Sequence, residues 1–129
     1  MKKLLSAVVI AATVSLAGCA DLQPSPEQMA AADYGNQPSA TEATSLVQAY
    51  LQDTLIDPNS LILRGPTKLE RGWMKANGRT EFGYLAYFGV NAKNRMGGYT
   101  GSIPKAFFIK NGSILATYTV YTDGLRPDL

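Results

Sequence analysis

The sequence predicts an α+β domain in which one N-terminal amphipathic helix packs on an antiparallel sheet of about four strands. One segment of the 129-residue chain has apolar residues at helical spacing. Two Asn-Gly pairs, at positions 77–78 and 111–112, each lie between segments of alternating apolar residues, which is the pattern of a β-hairpin. An amphipathic helix needs an apolar surface to cover, and a sheet with one apolar face needs a cover.

The predicted helix spans residues 39–56. Ser39 can cap its first turn, and Glu42, three residues later, completes a capping box. The apolar residues recur at helical spacing and form one stripe, which consists of Ala43, Leu46, Val47, Tyr50, Leu51 and Leu55. Pro58 disfavours helical backbone at the residue before it, so we expect the helix to end there, before a turn at residues 57–60.

The chain after this turn predicts a sheet. A short apolar segment, residues 61–64, is closed by Gly65 and Pro66. The first Asn-Gly pair lies between residues 68–76 and 79–91, and the second lies between residues 105–110 and 113–121. In residues 79–91, the second strand of the first predicted hairpin, alternation gives one apolar face, which consists of Phe82, Tyr84, Ala86, Phe88 and Val90. Residues 123–129 are predicted to be irregular.

The first nineteen residues predict export. Lys2 and Lys3 precede an apolar run without charge at residues 4–15, and the small residues Ala17 and Gly18 follow. A basic start, an apolar run and a small-residue cleavage site form a secretory signal peptide. The alternative is a transmembrane helix, but such a helix needs about 20 apolar residues. We therefore expect residues 1–18 to be a signal peptide that is removed.

The end of this segment, Leu16-Ala17-Gly18-Cys19, resembles the lipobox of bacterial lipoproteins. The resemblance implies that Cys19 carries a diacylglycerol on its thiol, and that its new amino group receives a fatty acid such as palmitate. More than one acyl chain gives stable anchoring, so the membrane is the first expected partner. By resemblance to enterobacterial sorting, Ala20 directly after Cys19 favours the periplasmic face of the outer membrane over the inner membrane. Cys19 is the only cysteine, which excludes an internal disulfide.

The chain is thus predicted to have three parts: the signal peptide at residues 1–18, the lipidated Cys19 with a flexible tether at residues 19–38, and a single α+β domain at residues 39–129. The tether prediction depends on proline and polar residues, which keep a segment extended and unpacked. Residues 33–35 are the expected exception, because the ring of Tyr34 can pack onto the domain.

Charge excludes one class of partner. The whole chain has twelve basic and ten acidic residues, but two of the basic residues lie in the predicted signal peptide. The remainder is near neutral, so nucleic-acid binding is not expected. Residues 21–57 contain acidic residues and no basic ones, whereas residues 61–110 are mainly basic. The two regions can pair within the fold, the basic region can face an anionic partner, or both can be ordinary solvated surface.

The residue types for catalysis are scarce. The chain has no histidine, which is the commonest general base and metal ligand. Glu70 and Glu81 flank the first hairpin, but Lys68 and Arg79 beside them favour surface ion pairs over the paired acids of a hydrolase. We expect no enzymatic activity, no metal and no cofactor.

The segment between the two hairpins, residues 91–101, is the candidate binding loop. Its candidate residues are Asn91, Lys93, Asn94, Arg95, Gly97, Gly98, Tyr99, Thr100 and Gly101. Glycines let backbone N–H groups converge into a nest for an anion, the two cations would strengthen such a nest, and the tyrosine ring could stack. The alternative is a structural connection, in which glycines permit tight turns and asparagine side chains bond their own backbone.

The loop also carries a family resemblance. The runs Asn-Ala-Lys-Asn at 91–94, Gly-Gly-Tyr-Thr-Gly at 97–101 and Phe-Phe-Ile at 107–109, followed by Asn-Gly, resemble a group of small uncharacterised bacterial envelope proteins. The resemblance covers roughly residues 34–115, including the Asp-Pro turn after the helix. The group has a cysteine in the strand before position 91, where this chain has Tyr-Phe-Gly. The resemblance implies fold and envelope location and no particular activity.

Three functions remain for such a domain. The leading hypothesis is a non-catalytic, lipid-anchored interaction or accessory module that contacts another envelope component through the sheet and the candidate binding loop. The second is a periplasmic binder of a cell-wall or anionic ligand through the Gly-rich loop. The third is an inhibitor of a lytic enzyme, although such inhibitors usually depend on disulfides, which this chain lacks.

Overall fold

The computed structural model describes residues 23–128, and these residues form an α+β fold with one antiparallel sheet of five strands. The elements in chain order are α1 (Pro26–Ala31), α2 (Ala40–Thr54), a 3-10 turn (Pro58–Ser60), β1 (Ile62–Ala76), β2 (Arg79–Asn91), β3 (Ile103–Lys110), β4 (Ser113–Tyr121) and β5 (Gly124–Pro127). The order of strands in the sheet is the order in the chain. The predicted signal peptide and Cys19 lie outside the described residues.

Helix α2 is the predicted amphipathic helix. Its capping box is complete, because the Glu42 N–H donates to Ser39 Oγ and the Ser39 N–H donates to Glu42 Oε2, both at 3.1 Å. The helix ends at Thr54, and the Leu55 N–H donates back to the Leu51 carbonyl. The predicted capping box therefore sets the start of the helix, whereas the helix ends two residues before the predicted end at residue 56, because Leu55 is already extended. No helix within residues 23–128 is long and apolar enough to cross a membrane.

One face of α2 packs on the central strands and forms the core. The buried cluster consists of Ala43, Val47, Leu51, Ala86, Phe88, Val90, Phe107 and Ile109. Phe88 and Phe107 meet edge to face with 5.9 Å between ring centroids. Tyr50 adds a second edge contact to Phe107 at 6.1 Å. Full burial of a large apolar side chain stabilises a fold by roughly 1.5–3 kcal/mol, so this cluster holds the helix on the sheet.

Both Asn-Gly hairpin predictions are confirmed. Asn77 and Gly78 have φ of 51° and 74°, and Asn111 and Gly112 have φ of 48° and 77°. Positive φ at both central residues is what a two-residue hairpin turn of the right twist requires. The turns place Ala76 opposite Arg79 and Lys110 opposite Ser113.

The sheet has five strands where the sequence predicted about four. The tail that was predicted to be irregular pairs with β4 as the edge strand β5, from Tyr121 opposite Gly124 to Tyr118 opposite Pro127. An edge position tolerates the proline, which has no N–H to donate. The segments at 61–64 and 68–76 are one long strand, β1, with an irregularity between Arg64 and Lys68.

The segment before α2 also differs from the expected extended tether. Residues 26–31 form a helix because Ser25 and Gln28 make a capping box, with Pro26 in the first turn. Within residues 23–128 the first helix is therefore α1, and the helix on the sheet is the second. The predicted docking of Tyr34 is observed: its side chain is only 9% exposed.

Several contacts fasten this segment to the sheet. The Tyr34 ring lies 5.5 Å from the Phe82 ring and 4.8 Å from the Arg71 guanidinium, and its hydroxyl donates to the Met29 carbonyl at 2.9 Å. The Asn36 N–H donates to Asn111 Oδ1 at 3.3 Å. The segment is thus part of the folded body.

The opposite face of the sheet carries no helix within the described residues. Gly72 and Gly83 lie opposite each other there, and the side chains of Leu85 and Phe108 lie over them. A Cβ atom at Gly83 would come within 2.6 Å of the Ile109 carbonyl oxygen and 2.9 Å of the Phe108 ring. The Phe108 ring lies over Gly83 and is fully buried, although no helix within the described residues covers this face.

Candidate functional site

The strands define two ends of the described body. We call the end with both Asn-Gly turns the hairpin end, where Tyr34 and the start of α2 also lie. We call the opposite end the loop end. It holds the end of α2, the 3-10 turn, residues 91–103 and the turn between β4 and β5. All but the first residues of the candidate binding loop project beyond the sheet at the loop end.

The candidate binding loop is closed by its own hydrogen bonds. Lys93 and Tyr99 form an antiparallel bridge. The Asn94 N–H donates to the Gly98 carbonyl at 2.9 Å, and the Gly97 N–H donates to the Asn94 carbonyl at 3.0 Å. Asn94 Oδ1 accepts two further bonds, from the N–H groups of Met96 at 3.0 Å and Gly98 at 3.2 Å. The convergent N–H groups that an anion would need already have an internal acceptor.

Ser60 connects this loop to the body. Its Oγ accepts the Lys93 N–H at 2.8 Å and donates to the Asp57 carbonyl at 2.7 Å. Its carbonyl accepts the Tyr99 hydroxyl at 2.9 Å. The sequence predicts a turn at Ser60 and no further role, because nothing local shows that its partners in the loop lie 33 and 39 residues away.

The loop end gathers exposed apolar side chains. Of the seven large apolar residues that are exposed within residues 23–128, all but Leu115 lie there. They are Ile56, Ile62, Met96, Tyr99, Ile103 and Tyr121. Met96 is 94% exposed at the tip of the loop. Ile103 pairs with Val90 on the side of the sheet that α2 covers, whereas Ile62 pairs with Asn91 on the other side, so these residues surround the loop end rather than share one face. Exposed apolar residues gathered in one region are typical of a contact surface.

A pocket of about 260 Å³ opens between the end of α2 and the loop. Its lining residues are Thr54, Leu55, Ile56, Val90, Ala92, Lys93, Asn94, Thr100, Ile103 and Lys105. The walls are mainly aliphatic, with one lysine on the loop side and one on the sheet side. Two of these lining residues, Ile56 after α2 and Ile103 at the start of β3, are 64% and 39% exposed.

The two lysines at this pocket have different surroundings. Lys105 Nζ donates to Asp128 Oδ2 at 2.7 Å, and the Thr119 hydroxyl donates to Asp128 Oδ1 at 2.7 Å. Burial alone would raise the pKa of Asp128, but the bonds from Lys105 and Thr119 outweigh it and hold that pKa below its usual range. Lys93 Nζ instead lies 5.6 Å from the centroid of the Tyr99 ring.

The structure brings only part of the predicted loop together. Five candidate residues share direct hydrogen bonds or a strand bridge, and they are Lys93, Asn94, Gly97, Gly98 and Tyr99. Arg95, Thr100 and Gly101 are exposed around them. Asn91 belongs to β2, and its buried Oδ1 has no hydrogen-bond partner among the described residues.

Each of the two glutamates of the first hairpin forms an ion pair with a lysine. Glu70 lies 2.9 Å from Lys68 Nζ and accepts the Tyr87 hydroxyl at 2.8 Å. The hydrogen bond from Lys68 lowers the pKa of Glu70, and burial beside that carboxylate raises the pKa of Tyr87 to about 12. Glu81 pairs with Lys110 at 3.3 Å rather than with Arg79. Within residues 23–128 no cluster of acidic residues could hold a metal ion.

Comparisons of the chain with protein-family models, with curated proteins and with solved structures found no match. The resemblances of the lipobox and of residues 34–115 to known groups therefore stay predictions from the residues themselves.

Proposed function

We propose that this protein is a non-catalytic, lipid-anchored envelope protein that binds another envelope component through its loop end. The observation that carries this proposal is that the exposed apolar side chains of Met96 and Tyr99 lie on a loop that its own hydrogen bonds hold in one conformation. A surface that is ordered before binding loses less conformational entropy when a partner arrives. A partner contact explains the loop better than an anion site does. The convergent N–H groups of Met96 and Gly98 already donate to Asn94 Oδ1 and are therefore not free for an anion.

The expected anchor gives the loop end a direction. From Cys19 to Ser25 the chain has six peptide links, which span at most about 22 Å. The segment that follows is fastened at the hairpin end through Tyr34. From Phe82 to Val90 strand β2 extends about 26 Å toward the loop end. A lipid on Cys19 would hold the hairpin end near the bilayer, and the loop end would face away from it.

We place this anchor on the periplasmic face of the outer membrane, on the strength of the lipobox and of Ala20. Labelling of growing cells with an alkyne fatty acid tests the anchor. We expect label on the full chain and none on the Cys19→Ser variant. Equal labelling of both chains would contradict lipidation at Cys19.

In-cell crosslinking tests the contact surface. A photoreactive residue replaces Met96 in the full chain, since the Met96 side chain is exposed and makes no hydrogen bond, whereas the Tyr99 hydroxyl is engaged by Ser60. The matched control carries the same residue at Leu115, which is also exposed and lies at the hairpin end. We expect one dominant protein adduct from position 96 that position 115 does not give. The same set of adducts from both positions would refute the loop end as the contact surface.

A further inference from the structure

We infer that the pocket between α2 and the candidate binding loop receives a large apolar side chain of the partner protein, with a partner carboxylate beside it at Lys93. This inference rests on the proposed function, because the pocket lies within the loop end. It adds the chemistry of the partner: an acidic segment that carries an exposed aromatic or leucine side chain.

The walls of the pocket suit an apolar anchor. Leu55, Val90 and Ala92 line its interior, and the exposed Ile56 and Ile103 stand at its sides. A volume of about 260 Å³ fits one large side chain and is too small for a folded element. Binding energy in protein interfaces is concentrated where large side chains fill such preformed pockets.

The walls are fixed before a partner arrives. The Leu55 N–H donates to the Leu51 carbonyl, which sets the end of α2. Ile103 is in register with Val90 in the sheet. On the loop side, the bond from the Lys93 N–H to Ser60 Oγ holds the backbone. The pocket is therefore bounded on three sides by hydrogen-bonded backbone.

The charges around the pocket favour a carboxylate on the loop side only. Among the described residues, neither Lys93 nor Arg95 lies within ion-pair distance of a carboxylate, and each can pair with a partner. Lys105, on the sheet side, already pairs with Asp128. Asp53 and Asp57 flank the end of α2 and would repel a second acid there. This asymmetry orients the partner segment.

A concave pocket favours a protein over a lipid surface. A bilayer accepts protruding apolar side chains, and Met96 alone would serve that purpose. The aliphatic walls behind Ile56 and Ile103 would stay unfilled against a flat bilayer. Vesicle binding is therefore the competing outcome in the test.

The test uses the ¹⁵N-labelled full chain in detergent micelles and two peptides, acetyl-Glu-Phe-Glu-amide and acetyl-Lys-Phe-Lys-amide. We expect the acidic peptide to shift the amide signals of Ala92, Lys93 and Ile103 saturably, with a dissociation constant of the order of 1 mM. The basic peptide should bind at least tenfold more weakly. Equal shifts from both peptides, or no saturable shift, would overturn the inference.

Variants locate the binding. Ala92→Phe fills the pocket and should abolish the shifts. Ile103→Ala removes an exposed wall of the pocket and should weaken binding of the acidic peptide several-fold without a change of fold. Lys93→Ala should remove the preference for the acidic peptide. Leu115→Ala, the matched control, should change nothing. Unaltered binding by both Ala92→Phe and Ile103→Ala would overturn the pocket as the site.

The result is separable from that of the proposed function. If position 96 gives a specific adduct but the peptide titration gives no saturable shift, only the inference about the pocket is refuted. Saturable peptide binding without a specific adduct refutes the envelope partner and keeps the pocket. Anionic phospholipid vesicles that shift the same amides, when the acidic peptide does not, would assign the loop end to a bilayer instead.

Discussion

Two tyrosines, one at each end of the body, make the same two contacts, a hydroxyl hydrogen bond to a carbonyl and a cation near the ring, but differ in burial. The Tyr34 hydroxyl donates to the Met29 carbonyl, and the Tyr99 hydroxyl donates to the Ser60 carbonyl. Each ring also has a cation near its face, Arg71 at 4.8 Å and Lys93 at 5.6 Å. Yet Tyr34 is 9% exposed and Tyr99 is 46% exposed.

The difference comes from what lies beside each ring. Tyr34 packs against Phe82 and Tyr84, so its hydroxyl bond completes a buried aromatic cluster. Tyr99 has no aromatic neighbour of this kind among the described residues, and its hydroxyl bond orders a loop whose ring face stays half open. The same polar contact therefore stabilises the fold at the hairpin end and prepares a surface at the loop end.

The largest expected effect is that of Tyr34→Ala. Loss of a buried aromatic ring should lower the free energy of unfolding by about 2–4 kcal/mol. Tyr99→Ala removes a half-exposed ring and one hydrogen bond and should lower it by at most about 1.5 kcal/mol. Urea unfolding of the full chain measures both. A loss as large at position 99 as at position 34 would end the distinction between the two tyrosines.

Ser60→Ala should have the next largest effect, at the loop end alone. The substitution leaves the Lys93 N–H without its acceptor, and an unpaired half-buried N–H costs about 1–3 kcal/mol. Hydrogen exchange at the Lys93 amide should accelerate, while exchange within the Tyr34 segment stays unchanged. Ser113→Ala, at an exposed strand position, is the control. Unaltered exchange at Lys93 would show that Ser60 does not hold the loop.

Substitutions at Asn94 separate loop order from fold stability. Asn94→Ala removes the acceptor of the Met96 and Gly98 N–H groups, so both amides should exchange faster. The position is exposed, and the free energy of unfolding should fall by less than about 1 kcal/mol. Asn94→Asp keeps the oxygen acceptors and should restore slow exchange. If Asn94→Asp behaves like Asn94→Ala, the internal acceptor does not order the loop.

The smallest effect is a pH dependence at Asp128. Its pKa is lower in the folded chain than its ordinary value. The stabilisation is therefore present above the ordinary pKa of an aspartate and is lost as pH falls through the folded-state pKa. Asp128→Asn should flatten the acid limb of stability against pH by less than about 1 kcal/mol, because the Asp128 side chain is partly exposed. Parallel acid limbs for wild type and Asp128→Asn would contradict the assignment.

Short-range signals predicted most of the fold. The capping box at Ser39 and the two Asn-Gly pairs depend on neighbours within four residues, and the structure confirms all three. Helix α1 carries the same kind of signal at Ser25 and Gln28, but the prolines and polar residues around it predicted an extended tether, and this capping box was missed. Strand β5 was missed because Gly124 and Pro127 predicted irregular backbone, although its pairing with β4 begins only three residues back, at Tyr121.

The candidate site could be predicted only as a segment. Its asparagines and glycines marked residues 91–101 as a distinct loop, and Asn94 does bond its own backbone. Its attachment to Ser60 depends on bonds that span 33 and 39 residues. The apolar cluster at the loop end depends on strand register, which brings Ile62, Ile103 and Tyr121 to one end. No local pattern in the sequence specifies that these three residues lie at the same end of the sheet.

The paired glycines under Leu85 and Phe108 have a consequence for sequence variation. On most single-layer sheets the side away from the helix accepts many residue types, because its side chains stand in water. Here a methyl group at Gly83 has no room beside the Ile109 carbonyl, and one at Gly72 would meet the end of Leu85. In a saturation mutagenesis survey, the helix-free side of this sheet would contain some of its least replaceable positions.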